Sequence, residues 1–114
     1  MNKEPSICKT INIDDAKELI NNGNVTITDI RDKESFLRSH VPGAIHLTQD
    51  NIDEFKKDTG TEETVIIYCY HGINSKDAAR YFDSLGYENV YSLDGGFSEY
   101  SKQDHLLSDP LITW

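Results

Sequence analysis

The chain has 114 residues, with 11 Lys and Arg against 20 Asp and Glu, a formal net charge of −9, and two cysteines. That length suits one domain around one core, and with no charged leader ahead of an apolar stretch and no apolar run of bilayer length, a soluble cytoplasmic protein is expected. The acidic balance argues against nucleic acid or an anionic membrane as partner, because phosphate binding needs clustered Lys and Arg. Cys8 and Cys69 are too few for a disulfide framework and form no C-x-x-C pair.

Four short β-rich segments alternate with helical patterns, which predicts a parallel α/β sheet, doubly wound by default. Thr10-Ile11 is a candidate edge strand. Asn12 then caps a helix with Asp14 and Asp15 in its first turn and Ile13, Ala16, Leu19 and Ile20 on one face, stopped by Asn22-Gly23. Residues 25–30 form a central strand, 33–38 a short helix, and His40-Val41-Pro42-Gly43 a turn. A short strand at 44–47 leads through a polar connection to a helix carrying Ile52 and Phe55, closed by Gly60. Residues 64–68 form the most apolar strand, which delivers Cys69. The next helix spans 75–85, with Asn74 as cap, Asp77 in its first turn, and Ala78, Ala79, Phe82 and Leu85 as its buried stripe, before Gly86 ends it. A strand at 89–93, a Gly95-Gly96 turn and a helix at 97–102 complete a core of about residues 8–102. The tail, 103–114, lacks periodicity; Leu106, Leu107, Leu111 and Trp114 are its packing candidates.

Cys69 carries the chemistry. It stands at the carboxyl end of a buried strand and at the amino end of a helix, where α/β sheets hold their ligands and the helix dipole favours anions. Such a position lowers a cysteine pKa from about 8.5 toward neutrality. The competing reading is a small buried core residue, since free cysteine is often fully buried. The loop Tyr70-His71-Gly72-Ile73-Asn74, followed by Ser75 and Lys76, contains no acidic residue, so its backbone N–H groups can hold an anion as a nest. Lys76 either adds a cation to that site or lies idle on a solvated face. Arg31 follows Asp29 at a strand end near the expected site and is expected to pair with a carboxylate, with substrate contact as the alternative. Cys8 reads as an incidental thiol, with a resolving role for Cys69 as the alternative. His40 and His46 have no metal-ligand company, so no metal is expected.

Four pieces of the chain, taken together, resemble a rhodanese domain. They are Thr28-Asp29-Ile30-Arg31-Asp32 with Glu34-Ser35-Phe36; Ser39-His40-Val41-Pro42-Gly43-Ala44-Ile45; Cys69 with its loop; and Leu93-Asp94-Gly95-Gly96-Phe97. More narrowly, residues 28–50, Cys69-Tyr70-His71-Gly72 and Tyr91 through Phe97 resemble the single-domain bacterial thiosulfate sulfurtransferases of that family. The resemblance implies one rhodanese domain over 1–114: a central parallel five-stranded sheet with helices on both faces, and no cofactor. It also implies a reaction. Thiosulfate donates its outer sulfur to Cys69, which carries it as a persulfide to cyanide or to a dithiol protein such as thioredoxin. The amides of Tyr70 through Ser75 would surround that sulfur; Lys76, where it does not lie idle, would hold the sulfonate or help lower the thiol pKa.

Sulfur exchange at a thiolate needs no large proton transfer, so His71 is expected to have a positional role in the loop, with a general base as the alternative. The family often has a hydroxyl or a cation five places after the cysteine. Here Asn74 stands there, with the Ser75 hydroxyl one place later. Tyr100, where an aromatic follows the double glycine, is read as packing. A cysteine phosphatase or arsenate reductase would need an arginine six places after the nucleophile to hold phosphoryl oxygens, and that place is Ser75. Two alternatives remain within the family: a persulfide relay fed by another protein, and a protein-binding module, although such modules commonly lack the cysteine.

Overall fold

Apolar, β-branched runs alternate with amphipathic helices, and in the computed structural model, which describes residues 8–108 and side chains as far as residue 102, they build one parallel sheet. In chain order the elements are β1 (Lys9–Ile11), α1 (Ile13–Asn22), β2 (Thr26–Asp29), α2 (Lys33–Arg38), β3 (Ile45–His46), α3 (Ile52–Asp58), β4 (Thr64–Tyr68), α4 (Asn74–Ser84), β5 (Asn89–Leu93) and α5 (Gly96–Ser108). The strand order is β1-β5-β4-β2-β3, with every neighbouring pair parallel. β4 lies in the middle with Val65, Ile66, Ile67 and Tyr68 all buried, as a strand covered on both faces requires. Its side chains alternate between two cores: Ile66 and Tyr68 pack with Ile13, Ala16 and Phe97 of α1 and α5, whereas Val65 and Ile67 pack with Phe55, Ala79 and Phe82 of α3 and α4. Helices therefore cover both faces. No helix of the described residues is long and apolar enough to cross a membrane.

The chain leaves β2 toward β3 and leaves β4 toward β5, in opposite directions along the sheet, so a crevice opens at the carboxyl ends of β2 and β4. Cys69 is the first residue beyond β4 at that edge.

Several sequence expectations are corrected at the element ends. Asn74 is not the cap of α4: the helix starts at Asn74 itself, with Ile73 in the cap position and no side-chain cap bond. Leu85 lies beyond the last helical residue and is 42% exposed; Tyr87, buried against Phe82, fills the core place instead. The strand expected at 44–47 is only Ile45–His46. The last helix does not stop at residue 102 but runs through Ser108, so part of the supposed tail is helical. The packing expected of Leu106, Leu107, Leu111 and Trp114 lies outside the described side chains.

Candidate active site

Cys69 is buried, and its Sγ accepts hydrogen bonds from the amides of Gly72 at 3.2 Å and Ser75 at 3.3 Å. Ser75 is the second residue of α4, so the sulfur takes the place that a capping side chain usually fills at a helix start. This is why Asn74 does not cap. Sγ also lies 3.4 Å from Ser75 Oγ, a contact in which the thiol donates and a thiolate accepts. Ser75 Oγ is in turn 2.7 Å from Ser92 Oγ on β5, and both serines are fully buried. Burial pushes the Cys69 pKa up, but the Ser75 hydroxyl and the amides of Ser75, Gly72 and Ile73 outweigh it, so the pKa lies below its ordinary value.

The loop keeps its shape through the start of α5. Phe97 N–H donates to Cys69 O and Ser98 N–H to Tyr70 O, both at 2.9 Å. Two amides that a helix start leaves orphaned thereby hold the loop carbonyls on the α5 side, while the Gly72 and Ser75 amides reach the sulfur. The two segments touch so closely that only glycine fits. A Cβ on Gly96 would stand 2.6 Å from Cys69 O and 2.7 Å from Gly72 N and Tyr70 O; one on Gly72 would meet Gly95 N at 2.9 Å. Both residues also have positive φ, 61° and 86°.

Among the described residues, the amides of Tyr70, His71, Ile73 and Asn74 have no backbone acceptor. The Lys76 amide is committed to Ile73 O. Tyr70 and Ile73 are 53% and 69% exposed at the rim, and the His71 ring packs edge-on against Tyr70. The side chains of Asn74 and Lys76 are exposed, and Lys76 makes no ion pair among the described residues.

Asp29 and Arg31 form a buried pair, with Arg31 Nη2 2.7 Å from Asp29 Oδ2 and side chains 0% and 6% exposed respectively. Arg31 Nη2 also donates to Ser39 O at 2.6 Å, and the guanidinium lies 4.1 Å from the Phe97 ring centre. Arg31 thus braces Phe97, the residue whose amide holds Cys69 O. The Tyr68 hydroxyl accepts from Val41 N at 3.0 Å, and burial pushes its pKa above the ordinary phenol value. Cys8 is a free, half-buried thiol packed on the α3 and α4 side of the sheet. His40 Nδ1 and His46 Nε2 bond to the carbonyls of Phe36 and Arg31. No group of three potential metal ligands exists among the described residues. Tyr100 packs near Phe97 and the α1-side core. Sequence reasoning passed over Ser92; its only signal was a hydroxyl two places after Val90, on the sheet face that Val65 and Ile67 share.

A sequence profile of the rhodanese-like domain matches residues 12–103. The chain belongs to the rhodanese-like domain family. It is 46% identical over 87 residues to the thiosulfate sulfurtransferase GlpE of Tolumonas auensis, a match spanning 76% of this chain and 82% of that protein. The fold is shared with the rhodanese-like domain of an Anabaena protein, with a TM-score of 0.73 at 22% identity, covering 89% of this chain and 76% of the other. It is shared as well with a rhodanese-like domain protein of Staphylococcus aureus, with a TM-score of 0.71 at 24% identity, covering 81% and 90%.

Proposed function

We propose that this chain is a thiosulfate sulfurtransferase in which Cys69 carries the sulfur. The observation that carries the reading is the sulfur of Cys69 at the centre of an acid-free loop, already bonded by two amides, with four further amides on no backbone acceptor. The 46% identity to a thiosulfate sulfurtransferase supports the same substrate. In the first step the Cys69 thiolate attacks the outer sulfur of thiosulfate. A new S–S bond forms, the old one breaks, and its electron pair leaves on sulfite. The persulfide anion then lies among the loop amides, which are charge-assisted donors for it. In the second step cyanide takes the outer sulfur as thiocyanate and restores the thiolate. A dithiol protein such as thioredoxin does so with its first thiol, and its second thiol displaces the sulfur as hydrosulfide, leaving a disulfide.

A net charge of −9 repels a dianion at long range, so attraction must come from groups close at hand. Lys76, in the first turn of α4 and without an ion pair among the described residues, supplies the cation, and the exposed Tyr70 and Ile73 give a protein acceptor an apolar rim to meet. A reducing compartment, the cytoplasm, keeps the thiol free. Ser75, in the place of a phosphatase arginine, is buried on the sulfur and leaves no cation there for phosphoryl oxygens. Thiocyanate formation from thiosulfate and cyanide tests the assignment. Cys69→Ser abolishes it with the circular dichroism unchanged, and Cys8→Ser leaves it near the parent rate. Turnover by purified Cys69→Ser would overturn the nucleophile.

A further inference from the structure

The fully buried pair of Ser75 on α4 and Ser92 on β5 is unusual at an interface otherwise lined by Val65, Ile67 and Val90 of the sheet and Phe82 of the helix. A buried hydroxyl needs a partner, and Ser92 Oγ has Ser75 Oγ, at 2.7 Å, as its one hydrogen-bond partner among the described residues. Ser75 Oγ has two, Ser92 Oγ and Cys69 Sγ at 3.4 Å. We propose that Ser92 is a positioning residue for Cys69, acting through the Ser75 hydroxyl to hold the sulfur as an anion. This rests on the reading of Cys69 as a thiolate nucleophile.

Counting protons gives the reason. With the thiol neutral, Cys69, Ser75 and Ser92 carry three protons for two contacts, so one buried donor is left over in either orientation of the chain. When the thiol loses its proton, two donors serve two contacts. Ser92 donates to Ser75, and Ser75 donates to the sulfur. Every polar hydrogen of the trio is then used, which favours the charged form, because an unmade buried hydrogen bond is costly. Without Ser92 the Ser75 hydroxyl loses the donor that orients it and that strengthens its own donation to sulfur. The other charged or titratable groups around the loop are His71, Lys76 and Asp77, Asp94 just before α5 and Glu99 in its first turn, and the Asp29–Arg31 pair with Tyr68. None of them is altered in the variants below, so their fields cancel in the comparison.

The test is the pH profile of Cys69 alkylation by iodoacetamide, measured in a Cys8→Ser background for the parent, Ser92→Ala, Ser75→Ala and the double variant, with folding checked by circular dichroism. Alanine removes only the oxygen and suits a buried strand. Ser92→Ala is expected to raise the midpoint by about half a pH unit, a roughly threefold loss of thiolate on the acid side. Ser75→Ala raises it further, and adding Ser92→Ala to Ser75→Ala changes nothing more. An unmoved midpoint in Ser92→Ala, or an equal added shift in the Ser75→Ala background, overturns the role of Ser92. Alkylation does not require sulfur transfer, so that failure leaves the sulfurtransferase reading standing, whereas absence of persulfide formation in the parent removes that reading and leaves the thiolate measurement valid.

Discussion

At Cys69 two opposed effects meet, burial that disfavours the thiolate and hydrogen bonds from Ser75, Gly72 and Ile73 that favour it, and the bonds win. The sign of the pH dependence follows. A folded pKa below the unfolded value of about 8.5 means that folding favours the thiolate. The midpoint for alkylation of the Cys8→Ser protein is therefore expected below that value, and a midpoint at or above it contradicts the site as described. Stability has the same sign: the contribution of Cys69 is fully present above the unfolded pKa and is lost as pH falls through the folded one. The stability difference between the parent and Cys69→Ala, followed by urea titration, should narrow across that window. The sequence made Cys69 legible because an apolar strand ends at it and an acid-free loop follows. Ser92 was not legible, since a serine in a strand is ordinary until its neighbour across the layers is known. Asn74 misled for a related reason: it is a good capping type, but the acceptor at that helix start is a sulfur five residues upstream.

The start of α5 and the loop after β4 act as one piece, joined by two backbone hydrogen bonds and by contacts that leave no room for a methyl group at Gly96. Gly96→Ala would both strain a positive φ, at about 1–2 kcal/mol, and push a Cβ into three backbone atoms that cannot yield without moving the loop. Sulfurtransferase activity is expected to fall at least about tenfold, as the loss of one charge-assisted hydrogen bond to the reacting sulfur would produce. Gly23→Ala is the control, since Gly23 has φ 76° but open space around its would-be Cβ. That variant should lose only the stability that the strained φ costs in a urea melt, and keep its rate. Full activity in Gly96→Ala would show that the close seat of the loop is not needed. The elements themselves were legible from periodicity, α1 most fully, because Asn12 does accept from the Asp15 amide as a cap should. Periodicity does not show that only two residues of β3 pair, and the residues after Lys102 carry no apolar stripe to announce the extension of α5.

Across the whole molecule, the sheet order brings the ends of β2 and β4 side by side, and the Asp29–Arg31 pair is buried at that junction. Arg31→Met would leave the Asp29 carboxylate buried with its main partner gone, a change that typically costs about 3–5 kcal/mol. That is a large part of the roughly 5–15 kcal/mol that holds a domain folded, so the urea midpoint should drop sharply. A midpoint within error of the parent would mean that the pair lies more open to water than its burial indicates. The alternation of strands and helices made a parallel sheet legible, but periodicity carries no strand order, which depends on contacts between distant segments. What the order achieves is to set a thiol between two strand ends and two helix starts. The most direct check on what that thiol does is the intact mass of the protein after incubation with thiosulfate. One added sulfur atom, located on Cys69 by peptide mapping and removed by cyanide or a dithiol, is the expected result; no added mass, or a sulfur that still appears on the Cys69→Ser protein, would contradict the persulfide at the centre of this account.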